Sequence, residues 1–268
     1  MKIGLIAGAG QFPALFSKKA VKKGYKVYGV GFHNETDKNL CNHVKKFELI
    51  YIGQVSKLIK YFKKHQITQV VMLGSINKTS IFKNIRPDLK ALSFIAKTMN
   101  THDDSILTSF ADLLLNEGIK ILSSTFLLPE LLTPEGCWTK IKPDKLQKRD
   151  IVKGWKIAKQ IGKLDIGQCI VISNGTVLAV EAIDGTDATI RRGGLLSQKS
   201  GAVVIKLSKS FQDLRFDLPA SGRRTIEIMH EVNAKVLALE ANKTISFDRD
   251  EMTELANQHK MSIIGCLL

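Results

Sequence analysis

Two carboxylates four residues apart, Asp213 and Asp217, sit in the run Gln212-Asp213-Leu214-Arg215-Phe216-Asp217-Leu218-Pro219-Ala220-Ser221-Gly222, directly before the pair Arg223-Arg224. At a reference pKa of about 3.9, both are ionised at neutral pH unless burial prevents it. A fixed anionic pair beside cations suits a divalent metal ion, or a water molecule aimed at phosphorus. The same residues also spell a capped turn, in which Asp217 satisfies backbone N–H groups.

A second cluster lies upstream. From Glu181 to Arg192 the chain packs Glu181, Asp184, Thr186, Asp187, Arg191 and Arg192 into a strand-to-helix junction. Asp184-Gly185 gives a turn, and Thr186 or Asp187 can cap the helix that carries the arginines. Arginine grips phosphate bidentately, and acids hold ribose hydroxyls or a metal ion. A salt-bridged helix start uses the same residues.

Near the N-terminus, Gly8-Ala9-Gly10-Gln11-Phe12-Pro13 follows an apolar run and opens a helix. The two glycines permit a tight turn, Pro13 suits a first helical turn, and the N–H groups there attract anions. Pro13 stands where the third glycine of a dinucleotide fingerprint belongs, and the second strand ends Val30-Gly31-Phe32-His33 without an acid. NAD binding is therefore disfavoured. The turn serves another nucleotide, or no ligand at all. Leu73-Gly74-Ser75-Ile76-Asn77-Lys78 ends another strand, with Lys78 as a phosphate contact or an ordinary surface lysine. His102-Asp103-Asp104 precedes a helical stretch, where acids favour the positive end of the helix dipole; a ligand role for Asp104 is secondary.

The elements that must position these residues alternate. Short β-rich runs at 3–7, 26–32, 69–73 and 119–122 are separated by helical segments. In one of these, Val55, Leu58, Ile59 and Phe62 follow i, i+3, i+4, i+7 with lysines between them. Such a basic amphipathic helix can lie on a membrane, but its short length and flanking strands favour packing on a sheet. The pattern predicts an α/β fold whose N-terminal domain, residues 1–128, is Rossmann-like with a mainly parallel sheet. Pro129, Pro134, Gly136 and Pro143 mark an expected linker over 129–145. Residues 146–268 form a second α/β domain: a helix over 150–161, further helices near 188–193, 225–233 and 249–259, and strands at 169–173, 177–182, 202–206, 236–239 and 262–266. Asn174-Gly175 is a hairpin signal, so this second sheet is mixed.

Composition narrows the function classes. The 268 residues are 44% hydrophobic and 24% charged, as in a globular protein. No apolar run approaches the ~18 residues that span a bilayer, and the N-terminus lacks the apolar core of a secretory signal, so a cytoplasmic location is expected. Cys41, Cys137, Cys169 and Cys266 are far apart and suit buried free thiols rather than a zinc site or disulfide framework. The net charge is +15, with 19 Lys+Arg against 9 Asp+Glu in the first 134 residues. Without a helix-turn-helix or stacking motif this excess does not point to nucleic acid, but it favours anionic headgroups or an anionic substrate. Two other classes remain as alternatives: a Rossmann-type oxidoreductase, supported by Gly8 and Gly10 alone, and a basic non-enzymatic binder of lipid or nucleic acid.

Taken in order, GAGQFP at 8–13, VVMLGSINK at 70–78, HDD at 102–104, VEAIDGTDATIRRGG at 180–194 and FDLPASG at 216–222 resemble one family. It is that of the UDP-2,3-diacylglucosamine pyrophosphatases of the lipid A pathway, of the type unrelated to calcineurin-like metallophosphoesterases. The resemblance spans nearly the whole chain. It implies two domains and Mg²⁺-dependent hydrolysis of UDP-2,3-diacylglucosamine to 2,3-diacylglucosamine 1-phosphate (lipid X) and UMP. It makes Asp217 the expected essential carboxylate, binding Mg²⁺ or orienting the attacking water, with Asp213 as the fallback. Expected substrate contacts are Gly8, Gly10, Gln11, Phe12, Lys78, Asp104, Glu181, Thr186, Asp187, Arg191, Arg192 and Gly222. Here GSINKTS replaces an arginine- and proline-containing form, and His102 stands in place of a glycine. A nucleotide lipid as substrate implies transient contact with the inner face of the inner membrane. A homodimer is the expected assembly, twofold assemblies being the commonest.

Overall fold

The computed structural model describes the chain outside residues 77–84, 99–102, 198–200, 210–212, 214, 216 and 217, and the side chains outside 94–98 and 103–106 as well. Two compact units emerge. The first is Met1–Pro129 together with Asp213–Asp217; the second is Glu130–Gln212 with Leu218–Leu268.

In the first unit, β1 (Lys2–Ala7), β2 (Lys26–Phe32), β3 (Lys46–Ile50), β4 (Gln69–Leu73) and β5 (Lys120–Ile121) form a five-stranded sheet in the order β3-β2-β1-β4-β5. Every pairing is parallel. Such a sheet is covered on both faces, so its inner strands read as continuous apolar runs. Its described α-helices are α1 (Phe12–Lys22), α2 (Val55–Lys64), α3 (Leu89–Thr98) and α4 (Asp103–Asn116). The amphipathic α2 packs as its spacing predicts. Val55, Leu58, Ile59, Tyr61 and Phe62 are buried in one core with Ile6, Val30, Val70 and Leu114. Strand β3 was not foreseen: it lies at the sheet edge and carries Lys46 and Glu48 among its five residues.

In the second unit, β6 (Gly136–Cys137), β7 (Cys169–Ser173), β8 (Thr176–Val180), β9 (Val203–Lys206), β11 (Val236–Glu240) and β13 (Ser262–Cys266) form a mixed sheet in the order β6-β13-β11-β9-β7-β8. Strands β9, β11 and β13 are parallel; β6, β7 and β8 pair antiparallel. Asn174 (φ 48) and Gly175 (φ 75) make the expected β7–β8 turn. Two short strands, β10 (Ala220–Ser221) and β12 (Ile245–Ser246), pair separately. Helix α5 (Lys145–Lys163) covers one face through Ile151, Trp155 and Ala158. The other core gathers Ile190 of α6 (Gly185–Ser197), Ile226 and Met229 of α7 (Arg223–Glu231), and Met252 and Ala256 of α8 (Arg249–Gln258).

Three expectations need correction. Residues 129–145 are not a linker. Gly136–Cys137 is an edge strand on β13, and Thr133 exchanges backbone hydrogen bonds with Thr244 and Asn242 at 2.9 Å each. The prolines and glycine shape turns around that edge; Gly136 has φ +101. Helix α5 starts five residues earlier than its apolar stripe suggests, because Asp144 and Gln147 form a reciprocal capping box. Finally, the segment Asp213–Asp217, expected in the C-terminal domain, groups with the first unit, where the Ser124 N–H donates to the Arg215 carbonyl at 2.6 Å.

Candidate active site

The carboxyl ends of β1 and β4 flank the point where the strand order of the first sheet reverses, the usual ligand-binding position of an open α/β sheet. Two sequence motifs meet there. The Gly8 N–H donates to the Leu73 carbonyl at 2.8 Å, the Ala9 N–H to Ser75 at 2.7 Å, and the Ser75 N–H back to Ala9 at 3.1 Å. Only glycine fits at two of these positions. A methyl group on Gly8 would lie 2.4 Å from the Ser75 oxygen, and one on Gly74 (φ +90) would lie 2.4 Å from the Ala9 oxygen. Gly10 (φ +95) and Gln11 are exposed beyond this junction, at the N-terminus of α1. Phe12, the first residue of α1, is buried. Asp104 is the second residue of α4; Lys78 and His102 lie outside the described residues.

Another group on the same sheet edge escaped the sequence reading. His33 follows β2 and Tyr51 follows β3, and their rings lie 4.4 Å apart. The Arg86 guanidinium sits 3.8 Å above the Tyr51 ring. Asp88 fixes the approach by accepting from the N–H groups of Ser56 (2.6 Å) and Ala91 (3.0 Å), at the starts of α2 and α3. Stacked planar groups and a cation at a strand edge suit a base or a phosphate.

In the second unit, the Glu181–Arg192 cluster is a connected network. Buried Glu181 accepts from the Thr186 hydroxyl at 2.7 Å and from the Gln168 N–H at 3.2 Å. Arg192 donates to Asp184 at 2.5 Å and to the Val180 carbonyl at 2.8 Å; Arg191 pairs with Glu231 at 3.1 Å. Asp187 pairs with Arg224 at 2.8 Å. Thr186 and Asp187 do not cap α6, which already starts at Gly185; the Asp184 carboxylate instead accepts from the Ala182 N–H. The Arg192 guanidinium holds the Asp184 carboxyl below its usual range.

Asp213 accepts from the Arg215 backbone N–H at 3.0 Å and from its guanidinium at 2.5 Å. Burial pushes the Asp213 carboxyl up, but these bonds outweigh it and leave the group below its ordinary value. Asp217 lies outside the described residues. Just after it, Ala220–Ser221 forms β10, and Gly222, in ordinary extended conformation, precedes α7. Lys206, a residue 6% exposed at the carboxyl end of β9, donates from its ammonium to the Ala220 carbonyl at 2.7 Å. The hydroxyl of the next residue, Ser221, is buried and has no hydrogen-bond partner among the described residues. At the same sheet edge, Glu240 accepts from Lys159 at 2.7 Å, Lys243 at 3.1 Å and the Ser208 N–H at 3.0 Å. Burial raises the Glu240 carboxyl, and the two lysines more than reverse that. Lys206 and Glu240 carried no local sequence signal.

Among the described residues no three His, Cys, Asp or Glu side chains are grouped to hold a metal ion. Asp213 is committed to Arg215, so an all-protein cage does not fit there. An arrangement that uses one carboxylate and the oxygens of a bound diphosphate does suit Mg²⁺, which keeps few protein ligands.

The two units make this a two-domain α/β protein, with polar and charged groups at the carboxyl ends of parallel strands, the edge at which open α/β sheets bind ligands. Residues 2–131 match the LpxI N-terminal domain and residues 134–264 the LpxI C-terminal domain; the chain belongs to the LpxI family. A relative from Caulobacter vibrioides, named UDP-2,3-diacylglucosamine pyrophosphatase LpxI, is 28% identical over 274 residues, covering 98% of this chain and 97% of that protein. Solved structures overlap only loosely. The biotin carboxylase domain of Hydrogenobacter thermophilus 2-oxoglutarate carboxylase is 12% identical with a TM-score of 0.27, over 65% of this chain and 35% of its own. N5-carboxyaminoimidazole synthetase from Staphylococcus aureus is 16% identical with a TM-score of 0.25, over 76% and 45%.

Proposed function

We propose that this chain hydrolyses the pyrophosphate of UDP-2,3-diacylglucosamine, giving 2,3-diacylglucosamine 1-phosphate and UMP in lipid A biosynthesis. The observation that carries this reading is the end-to-end match to a relative of that name, with both family domains in register.

Cleaving a phosphoanhydride needs a positioned water, neutralised non-bridging oxygens and a stabilised leaving phosphate. Asp217 orients the water. Lys206 steadies the backbone three residues beyond it through the Ala220 carbonyl. Arg191 and Arg192 serve the phosphates. Arg192 is exposed and Arg191 partly so, each is ion-paired with a surface acid, and such pairs are weak enough for a diphosphate to replace the carboxylate partner. Gly8, Gly10 and Gln11 form the turn that receives the nucleotide half. Mg²⁺, held by Asp217 and the substrate's own oxygens, supplies neutralising charge when bound.

The enzyme works in the cytoplasm at the inner face of the inner membrane, where its substrate resides. No described helix is long and apolar enough to cross a membrane. A homodimer is part of the reading, checked by sedimentation equilibrium. Incubating the protein with UDP-2,3-diacylglucosamine and Mg²⁺, then with EDTA, tests the activity. Release of UMP and the lipid monophosphate, abolished by EDTA, is expected. An intact substrate after long incubation with Mg²⁺ overturns the proposal.

A further inference from the structure

We propose that the outward face of α5 is a docking surface for an anionic lipid bilayer. The choice of partner rests on the reading that the substrate is a membrane-resident nucleotide lipid. The helix turns Ile151, Trp155 and Ala158 into the core and buries Asp150, whose carboxylate accepts from the Gly175 N–H at 2.6 Å. Its exposed residues include Lys145, Lys148, Arg149, Lys153, Lys156 and Lys163. Steps of three, four and seven residues place these six cations on one face. Asp150 is the only acid in the helix, and it points inward. None of the six is ion-paired among the described residues.

Like charges three and four residues apart repel one another along a helix, and among the described residues no ion pair offsets that repulsion here. An external anionic surface would. The apolar content of the face says which kind. Val152 and Leu146 are 46% and 57% exposed between the cations. A shallow groove of about 620 Å³ is lined by Lys148, Arg149, Val152, Lys153, Lys156 and Ile157. Aliphatic side chains flanked by long cationic stems match the boundary between headgroups and acyl chains. A nucleic-acid surface would call for aromatic stacking groups, and the one aromatic residue of the helix, Trp155, is buried.

The test is co-sedimentation of the full chain with vesicles containing phosphatidylglycerol, against pure phosphatidylcholine, in the absence of substrate. Wild-type protein is expected to pellet with the anionic vesicles alone and to be released by salt. Replacing four residues together, Lys148→Gln, Arg149→Gln, Lys153→Gln and Lys156→Gln, is expected to weaken vesicle binding about a hundredfold or more, because each cation near such a surface contributes about fivefold. The same variant should keep wild-type turnover of substrate in detergent micelles. Anionic-vesicle binding that survives the four substitutions overturns the proposal. So does retention of duplex DNA by the wild type, lost in the variant, without any vesicle binding. Failure of the activity itself appears only in the micelle assay and leaves the vesicle result to stand or fall alone.

Discussion

Gly8 and Ser75 approach so closely that a methyl group on Gly8 would sit 2.4 Å from the Ser75 carbonyl oxygen. Two stretches more than sixty residues apart are thus joined backbone to backbone at the ligand edge of the first sheet. Gly8→Ala forces that junction apart. We expect a loss of about 1–3 kcal/mol in urea unfolding, together with reduced turnover. Gly10→Ala has open space around it and meets only left-handed backbone strain, about 1–2 kcal/mol. Equal turnover in Gly8→Ala and wild type would remove the junction from the site.

The Lys206–Ala220 contact leads to a kinetic expectation. Lys206→Met keeps the volume of the side chain but frees the Ala220 carbonyl, so the segment just after Asp217 loses its anchor. Small misplacement of a reacting group costs rate more than binding. We expect kcat to fall about tenfold or more with KM nearly unchanged. Lys206→Arg should recover part of the rate. A variant with normal kcat and raised KM would show that Lys206 binds substrate instead.

Arg192 distinguishes a structural network from a binding one. Its partner Asp184 is a surface acid, so Arg192→Gln should shift the melting temperature by no more than about 2 °C. If the guanidinium holds a phosphate, KM for the nucleotide lipid rises about tenfold. An unchanged KM would leave Arg192 as a helix-start salt bridge.

Glu240 sets an acid limit on stability. The residue is 4% exposed, and its carboxyl titrates below its ordinary 4.5 in the folded chain because the lysines outweigh burial. The folded state therefore binds fewer protons than the unfolded one near pH 4. The stabilisation is fully present above the unfolded pKa and is lost as pH falls through the folded value. Glu240→Gln should destabilise the protein by about 2 kcal/mol at pH 7, less than for a fully buried pair because Lys159 reaches solvent. The gap to wild type should narrow below pH 4 in denaturant titrations.

Local chemistry in the sequence predicts local structure well. The Asn174-Gly175 hairpin, the amphipathic α2 and the parallel strands β1, β2 and β4 all follow from patterns within a dozen residues. The edge strand β3 does not, because its charged residues mask a strand that needs β2 beside it. Prolines around Gly136 mark turns, but whether those turns free the chain or bracket an edge strand depends on β13, over a hundred residues away. The site shows the same divide. Motifs locate Gly8, Glu181 and Arg215, yet each meets a residue outside its motif, Ser75, Gln168 and Ser124 respectively. The stack of Arg86, Tyr51 and His33 forms only when three loops converge.

Asp217 is the centre of the account, and Asp217→Asn tests it most directly. Mass spectrometry of products from UDP-2,3-diacylglucosamine should show UMP and the lipid monophosphate with wild-type protein. With a variant of unchanged circular dichroism and melting temperature, the rate should fall at least about a hundredfold. Wild-type rates from a folded Asp217→Asn protein would contradict the assignment of the essential carboxylate.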